Sequence, residues 1–241
     1  MAIEFDVENL IGKVDAITAT QLPYAGSRAM NQLGWQLKSE AWPVFAKQRF
    51  DRPVPFTESA LRYKHEKGSL SLLVEFNTEA PKGQDPARYL FPTSTGSSIY
   101  ITRFTKALRQ KGIIPSSYVA IPNTRGRALA GEINQYGNVK PGFYQAVLKA
   151  LDRNAGDRTR SKYRDYRFFS VPDNRKPQRS GQRLKPGIYR AKGRALDGLL
   201  FSYTQDTPSV PRIWDFEEFA TAATNERLPV LLNKYIAEAL R

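Results

Sequence analysis

The sequence predicts an α+β protein in which long N-terminal and C-terminal helices pack on a mixed or antiparallel β-sheet, with basic loops projecting from it. Apolar residues recur at steps of three and four near both ends of the chain, which is typical of amphipathic helices. Between them, short stretches of strand-forming residues are separated by turns that contain Gly or Pro. A strongly basic stretch with neither period interrupts this middle region, and it predicts the projecting loops.

The basic stretch covers residues 153–194. Residues 152–194 hold 14 Lys or Arg and four Asp or Glu, so they contribute +10 to the net charge of +14 carried by 241 residues. Aromatic residues are mixed into the stretch. Its first part and the polar run at 173–183 predict two loops, and residues 166–171 predict a short strand that ties both loops to a sheet.

Concentrated positive charge favours a polyanion as partner. Neutralisation of phosphates by Lys and Arg is independent of sequence, and it weakens as salt rises because counterions are released. A solvated loop pair, or a contact with an acidic protein surface, stays open as an alternative. The candidate contact residues are Arg158, Arg160, Lys162, Arg164, Arg167, Arg175, Lys176, Arg179 and Arg183.

Composition limits the class of protein. The sequence contains no Cys, which removes disulfides, thiol catalysis and cysteine-based zinc sites. The first residues lack the charged-then-apolar order of a signal peptide, and no apolar run approaches the roughly 18 residues that span a bilayer. We therefore expect a protein of a reducing cytoplasm, or of a particle assembled there, with no membrane partner.

We expect a single domain over residues 1–241, built from four successive parts. In the first part, residues 2–7 predict a strand, residues 10–17 have a helical pattern, and a longer helix is expected from about residue 22 to residue 45. Pro43 should kink or end that helix. The four parts are an N-terminal helical part at 1–49, a part with a hairpin, a strand and a helix at 50–152, the basic loops at 153–183, and strands with a C-terminal helix at 184–241.

Two hairpins are expected. Residues 60–66 and 69–76 predict the first, which turns at Lys67-Gly68. Residues 187–191 and 196–204 predict two adjacent strands around a turn at Gly193.

A helix is expected to close the fold. It should begin at Asp215, and Pro229 should kink or restart it. Its apolar stripe, from residue 228 to residue 239, should pack on the sheet, and a subunit interface is the alternative.

Signals for catalysis are weak. His65 is the only histidine, and its place in a hairpin predicts a satisfied or partly exposed strand residue, since one histidine cannot form a metal cluster. The loop at 123–131 lacks the Gly-Lys-Ser/Thr ending of a phosphate-binding loop, although its Arg125 and Arg127 add to the basic surface. No carboxylates have the spacing of a two-metal site. We expect neither enzymatic activity nor a cofactor.

Five short segments follow one another along the chain: Phe50-Asp-Arg-Pro-Val-Pro-Phe-Thr, Arg88-Tyr-Leu before a loop at 93–98, residues 103–108 followed by 112–122, Gln135-Tyr-Gly-Asn-Val-Lys-Pro-Gly, and Leu184-Lys-Pro-Gly-Ile-Tyr-Arg. In these segments and in their order, the chain from about residue 22 to its C-terminus resembles the phage minor tail protein Z family, the tail completion proteins. Thr95-Gly-Ser stands where that family has a Gly-Gly pair, which predicts a turn of different shape.

The resemblance implies a structural protein of the virion that acts in the neck, at the head-proximal end of the tail. It implies assembly in the host cytoplasm, a role in head–tail joining and placement of the DNA end, and the tail terminator and head–tail connector as partners. A homo-oligomeric ring would present the basic residues to phage DNA by phosphate contact without base readout. Two alternatives stay open: a sequence-independent nucleic-acid-binding protein outside virions, and a protein-only assembly factor.

Overall fold

The computed structural model describes residues 3–5 (backbone), 21–79, 84–98, 100–152, 163, 165–171 and 184–239. Within these ranges the α+β prediction is confirmed, with helices near both ends and two sheets, each antiparallel throughout. The helices are α1 Gln21–Gln36, α2 Trp42–Arg49, α3 Pro55–Glu58, α4 Pro86–Thr95, α5 Arg103–Gln110, α6 Pro141–Leu151 and α7 Phe216–Ala239. The strands are β1 Ile3–Phe5, β2 Leu61–Lys64, β3 Leu72–Phe76, β4 Val119–Pro122, β5 Tyr166–Val171, β6 Gly187–Lys192 and β7 Ala195–Thr204.

The chain divides into two compact units. The first consists of residues 1–98 and 209–241, and the second of residues 99–208. The expectation of a single domain stays a prediction. Its four parts do not coincide with the units, because the predicted last part, 184–241, contributes to both.

The first unit is built on a three-stranded sheet of order β1-β3-β2. Strands β2 and β3 form the predicted hairpin, with Arg62 opposite Glu75 and with Gly68 at a positive φ of 88° in the connection. Strand β1 confirms the expected first strand at residues 3–5, and the helical pattern at 10–17 lies outside the described residues.

The long N-terminal helix continues past Pro43. A π-helical segment, Leu37–Ala41, joins α1 to α2, and the Trp42 N–H donates to the Leu37 carbonyl across the wider turn. Pro43 then falls in the first turn of α2, where its missing N–H is not needed. The prediction that the helix could end at Pro43 is therefore wrong, and the change of helical repeat just before the proline accommodates it.

Helix α7 begins as predicted, because the Asp215 carboxylate accepts hydrogen bonds from the N–H groups of Glu217 and Glu218 at 2.7 and 3.0 Å. It runs through Pro229 without a break, so the predicted restart is not observed. Its later turns lie along α1, where Arg28 pairs with Glu238 at 3.1 Å. The apolar stripe therefore covers α1 more than the sheet, since α1 already occupies the sheet's face.

The turn after α4 differs from the predicted loop at 93–98. Helix α4 includes residues 93–95, and Gly96 ends it in the left-handed conformation with φ 72°. The Thr95 hydroxyl donates to the Phe91 carbonyl at 2.9 Å. A single glycine thus serves as the C-cap where the resemblance leads us to expect a pair.

The second unit is a four-stranded sheet of order β4-β7-β6-β5, covered by α5, α6 and a 3₁₀ segment, Arg127–Glu132. The predicted strand at residues 166–171 and the predicted pair of strands around Gly193 are confirmed. Gly193 has φ 57°, which a tight connection between two strands requires. Among the described residues, no helix is long and apolar enough to cross a membrane.

Candidate nucleic-acid interface

The net positive charge of the protein lies in one of the two units. Residues 99–208 hold 22 Lys or Arg and seven Asp or Glu, a net +15, whereas the other residues hold 15 and 16, a net −1. Electrostatic attraction of a polyanion is therefore a property of the second unit.

Strand β5 lies between the two basic segments in the sequence. It is an edge strand, and the basic sequence lies on both sides of it. Arg167 is exposed on β5, with its Cζ 5.5 Å from the centre of the Phe169 ring. Phe169 is stacked on Tyr189 of β6, with centroids 5.7 Å apart and an angle of 17° between the rings. One face of the edge thus combines a cation with half-buried aromatic surface, as nucleic-acid-binding surfaces do.

The opposite face of β5 anchors the strand in the core. Phe168 is buried, with its ring 6.1 Å from that of Phe143 on α6. Ser170 Oγ and the Tyr203 hydroxyl are hydrogen-bonded at 2.8 Å. Burial raises the pKa of Tyr203 to about 12, and the bond to Ser170 opposes that rise. These contacts fix the backbone from which Arg167 projects.

Tyr163, just before β5, is attached to the core of the second unit. The Tyr163 hydroxyl donates to Glu132 Oε2 at 2.6 Å, and the Tyr163 ring lies 5.4 Å from the ring of Phe143. Glu132 is buried at the end of the 3₁₀ segment. A carboxylate held inside a strongly basic unit thus provides the attachment point.

The β6–β7 hairpin carries cations that the candidate set omits. Arg190 forms an ion pair with Asp197, and its Cζ lies 4.7 Å from the centre of the Tyr166 ring. Lys192 Nζ lies 5.8 Å from the same ring, and Arg194 is exposed in the turn. The signal in the sequence was the alternation of charged and apolar residues from 189 to 192, which places the cations on one face of a strand.

The structure places one of the nine candidate residues, Arg167, which is exposed on β5. Whether the nine residues cluster stays a prediction. Arg125 and Arg127 are exposed, as expected, although residues 127–132 form a 3₁₀ segment with three buried side chains and not a simple loop. The remaining candidates lie outside the described residues: Arg158, Arg160, Lys162, Arg164, Arg175, Lys176, Arg179 and Arg183.

The surroundings of His65 provide a hydrogen-bond partner for each nitrogen of its ring. Its Nε2 and the Ser27 Oγ are 3.0 Å apart, and its Nδ1 lies 2.9 Å from the Ser71 carbonyl oxygen. Both ring nitrogens therefore have hydrogen-bond partners. Within the described part of the chain, no group of three or more His, Asp or Glu side chains could hold a metal ion.

No family model, no curated protein and no solved structure matches this chain. The likeness to phage tail completion proteins therefore depends on the sequence segments alone.

Proposed function

We propose that this protein is a structural component of a phage virion, which completes the head-proximal end of the tail and contacts DNA there through phosphates. The observation that carries the proposal is the separation of charge, with +15 in residues 99–208 and −1 elsewhere. The ordered segments that resemble tail completion proteins support the placement in a tail.

Phosphate contact suits a passage through which DNA of any sequence must move. Lys and Arg neutralise phosphates without reading bases, so binding of this kind favours no base sequence and allows the DNA to slide. Arg167 on the edge strand, with the basic segments on both sides of it in sequence, is the described part of this surface. In the neck, several copies in a ring would surround the DNA beside the tail terminator and the head–tail connector.

Binding to duplex DNA at a series of salt concentrations tests the phosphate contact. The test variant replaces Arg160, Lys162, Arg175 and Lys176 by Gln. Because each phosphate contact contributes about 0.9 to the slope of log K against log salt, we expect the slope to fall by up to about 3.6. Two duplexes of unrelated sequence should be bound equally well.

A matched control removes the same amount of charge from the first unit. It replaces Lys38, Arg62, Lys67 and Lys234, all exposed, by Gln. We expect its salt slope and its thermal unfolding to match the wild type. Equal slopes for the two variants, or a preference for one DNA sequence, would contradict the proposed contact.

Electron microscopy of particles that lack this protein tests the role in the virion. We expect finished tails and DNA-filled heads lying apart, or joined particles that fail to eject DNA. Normal infectious particles combined with salt-sensitive DNA binding would identify a nucleic-acid-binding protein outside virions. Defective particles combined with little DNA affinity at physiological salt would identify a protein-only assembly factor.

A further inference from the structure

An open groove of about 520 Å³ lies within the first unit. One wall is formed by the π segment and α2, and the other by the first half of α7. Three aromatic residues line it, with the ring of Phe45 lying 4.7 Å from that of Phe219 and 5.7 Å from that of Trp214. The volume falls in the range of roughly 300–1,000 Å³ that is typical of sites enclosing a compact ligand.

The groove is apolar inside and acidic at its rim. Val44 lines it and is 56% exposed, so the groove presents apolar surface to solvent. Glu40 on one wall and Glu218 on the other are exposed, and neither forms an ion pair within the described part of the chain.

The full set of charges lining the groove is Glu40, Asp215, Glu218 and Glu226 against Arg49 and Arg227. This negative balance occurs in a chain whose net charge is +14. The occupant that such a groove fits is an apolar side chain flanked by cations.

The tip of the β6–β7 hairpin has this chemistry. Leu196 is 46% exposed, and Lys192 and Arg194 are exposed beside it. Lys192 is opposite Ala195 and Ala191 is opposite Leu196, so Lys192 and Leu196 project from opposite faces of the hairpin. A hairpin tip placed between the two helical walls would present Lys192 to one wall and Leu196 to the other.

We propose that the β6–β7 hairpin of one copy of this protein docks in the acidic groove of a second copy. Leu196 lies against Val44 and Phe45, and Lys192 and Arg194 lie beside the rim carboxylates. The contact joins two different surfaces and leaves one of each free on a pair, so it continues from copy to copy and can close into a ring. This inference rests on the proposed function for the ring and names the contact that would form it.

The contact is small, so association should be weak and concentration-dependent, with a dissociation constant of about 10 to 100 µM. It should weaken as salt rises, because exposed charges are screened at ionic strengths near the physiological one. Sedimentation velocity of the full chain without DNA measures both properties.

Two charge-reversal variants test the groove and the hairpin one at a time. The groove variant carries Glu40→Lys and Glu218→Lys, and the hairpin variant carries Lys192→Glu and Arg194→Glu. Each alone should stay monomeric, since like charges then face each other in every possible contact. Mixed at equal concentration, they should associate again, with the two variants alternating. The unchanged groove of the hairpin variant accepts the unchanged hairpin of the groove variant, and the two charge-reversed surfaces also attract each other.

Two controls address folding and the apolar part of the contact. Glu66→Lys with Glu79→Lys reverses two exposed charges of the first unit outside the groove, and it should associate like the wild type. Leu196→Ser should raise the dissociation constant about tenfold, through loss of buried apolar surface.

A wild-type protein that stays monomeric at concentrations well above 100 µM, roughly the weak end of the expected range, would overturn the proposal. A mixture of the two charge-reversed variants that fails to associate, while the Glu66/Glu79 control does associate, would overturn it as well. DNA binding is measured separately, so failure of the copy-to-copy contact leaves the phosphate contact standing. Normal particles without the protein would remove the virion role while the association remained measurable.

Discussion

At the scale of single residues, Tyr203 links the edge of the second sheet to the core. Its side chain is 7% exposed, and its hydroxyl is hydrogen-bonded to Ser170 on β5. Burial disfavours the phenolate, which raises the pKa of Tyr203 from 10.0 to about 12. The folded protein therefore retains this proton at a pH where the unfolded chain has lost it.

This difference predicts a loss of stability at alkaline pH. The contribution is fully present below pH 10, and it is lost as the pH rises towards 12, because the unfolded state ionises first. A shift of this size corresponds to about 2–3 kcal/mol in the free energy of unfolding. Denaturant titration of the full chain from pH 8 to pH 12 measures the free energy of unfolding of the second unit. Wild-type protein and Tyr203→Phe should be compared in this way.

The variant removes the ionisation along with the hydroxyl. At pH 8 we expect it to be less stable than the wild type by about 1 kcal/mol, the contribution of one hydrogen bond. This difference should shrink and then change sign as the pH rises above 10. Parallel pH curves for the two proteins would show that Tyr203 ionises alike in the folded and unfolded states.

Individual residues also show where interpretation of the sequence succeeded. The hairpin pattern predicts that His65 is a satisfied or partly exposed strand residue. Both of its ring nitrogens have partners, but β2 ends one residue before it, at Lys64. The candidate cations could be identified from charge alone, yet only the sheet register reveals that Arg190 and Lys192 face Tyr166. Contact between side chains of different strands depends on register, which a single sequence does not specify.

At the scale of elements, α1 approaches the first sheet closely at Gly34. A Cβ placed there would overlap the Tyr63 ring and come within 2.8 Å of Leu72 Cδ1. The absence of a side chain at this position thus sets how near the helix lies to β2 and β3.

Gly34→Ala should therefore destabilise the protein even though alanine is the better helix former. Overpacking costs about 1–3 kcal/mol, which exceeds the gain in helix propensity of up to about 1 kcal/mol. The matched control is Gly142→Ala in α6, where a Cβ would meet nothing within 4 Å. That variant should be stabilised by about 0.5–1 kcal/mol.

Thermal or denaturant unfolding of the two variants decides between packing and propensity. If both alanines stabilise the protein to a similar extent, the close approach at Gly34 does not constrain α1.

The two prolines show why the ends of helices were harder to predict than their existence. Pro43 and Pro229 both lie within continuous helical segments. Proline removes one backbone donor and its ring crowds the preceding turn, which is a local penalty. Burial of Trp42 and Leu231 beside them is a tertiary contribution that the periodic pattern does not quantify.

At the scale of the whole molecule, each unit has its own hydrophobic core. All three tryptophans, Trp35, Trp42 and Trp214, belong to the first unit. Tryptophan fluorescence therefore reports on that unit, whereas far-ultraviolet circular dichroism reports on both.

Separate cores predict separate unfolding transitions. Phe201 is fully buried in the second core, 4.6 Å from Phe104 between ring centres. Phe201→Ala should cost about 3–5 kcal/mol. We expect it to shift one transition seen by circular dichroism and to leave the fluorescence midpoint unchanged.

The matched variant is Phe76→Ala in the first core, where the Phe76 ring lies 4.9 Å from that of Trp42. It should shift the fluorescence midpoint. A fluorescence shift of similar size with Phe201→Ala would mean that the units unfold as one.

The kinds of element and the concentration of charge follow from the amino-acid pattern alone. Helical and strand periods identified both hairpins and both long helices, because those periods reflect which side of an element is buried. The net charge of +10 in residues 152–194 is obtained by counting the charged residues in the sequence.

Tertiary packing, by contrast, places the net positive charge in one unit and the acidic groove in the other. The first unit is assembled from residues 1–98 and 209–241, which are distant in sequence. The groove exists because α7 returns beside α2 from more than 160 residues away, bringing Glu218 opposite Glu40. Such contacts arise from packing between elements, and local periodicity carries no information about them.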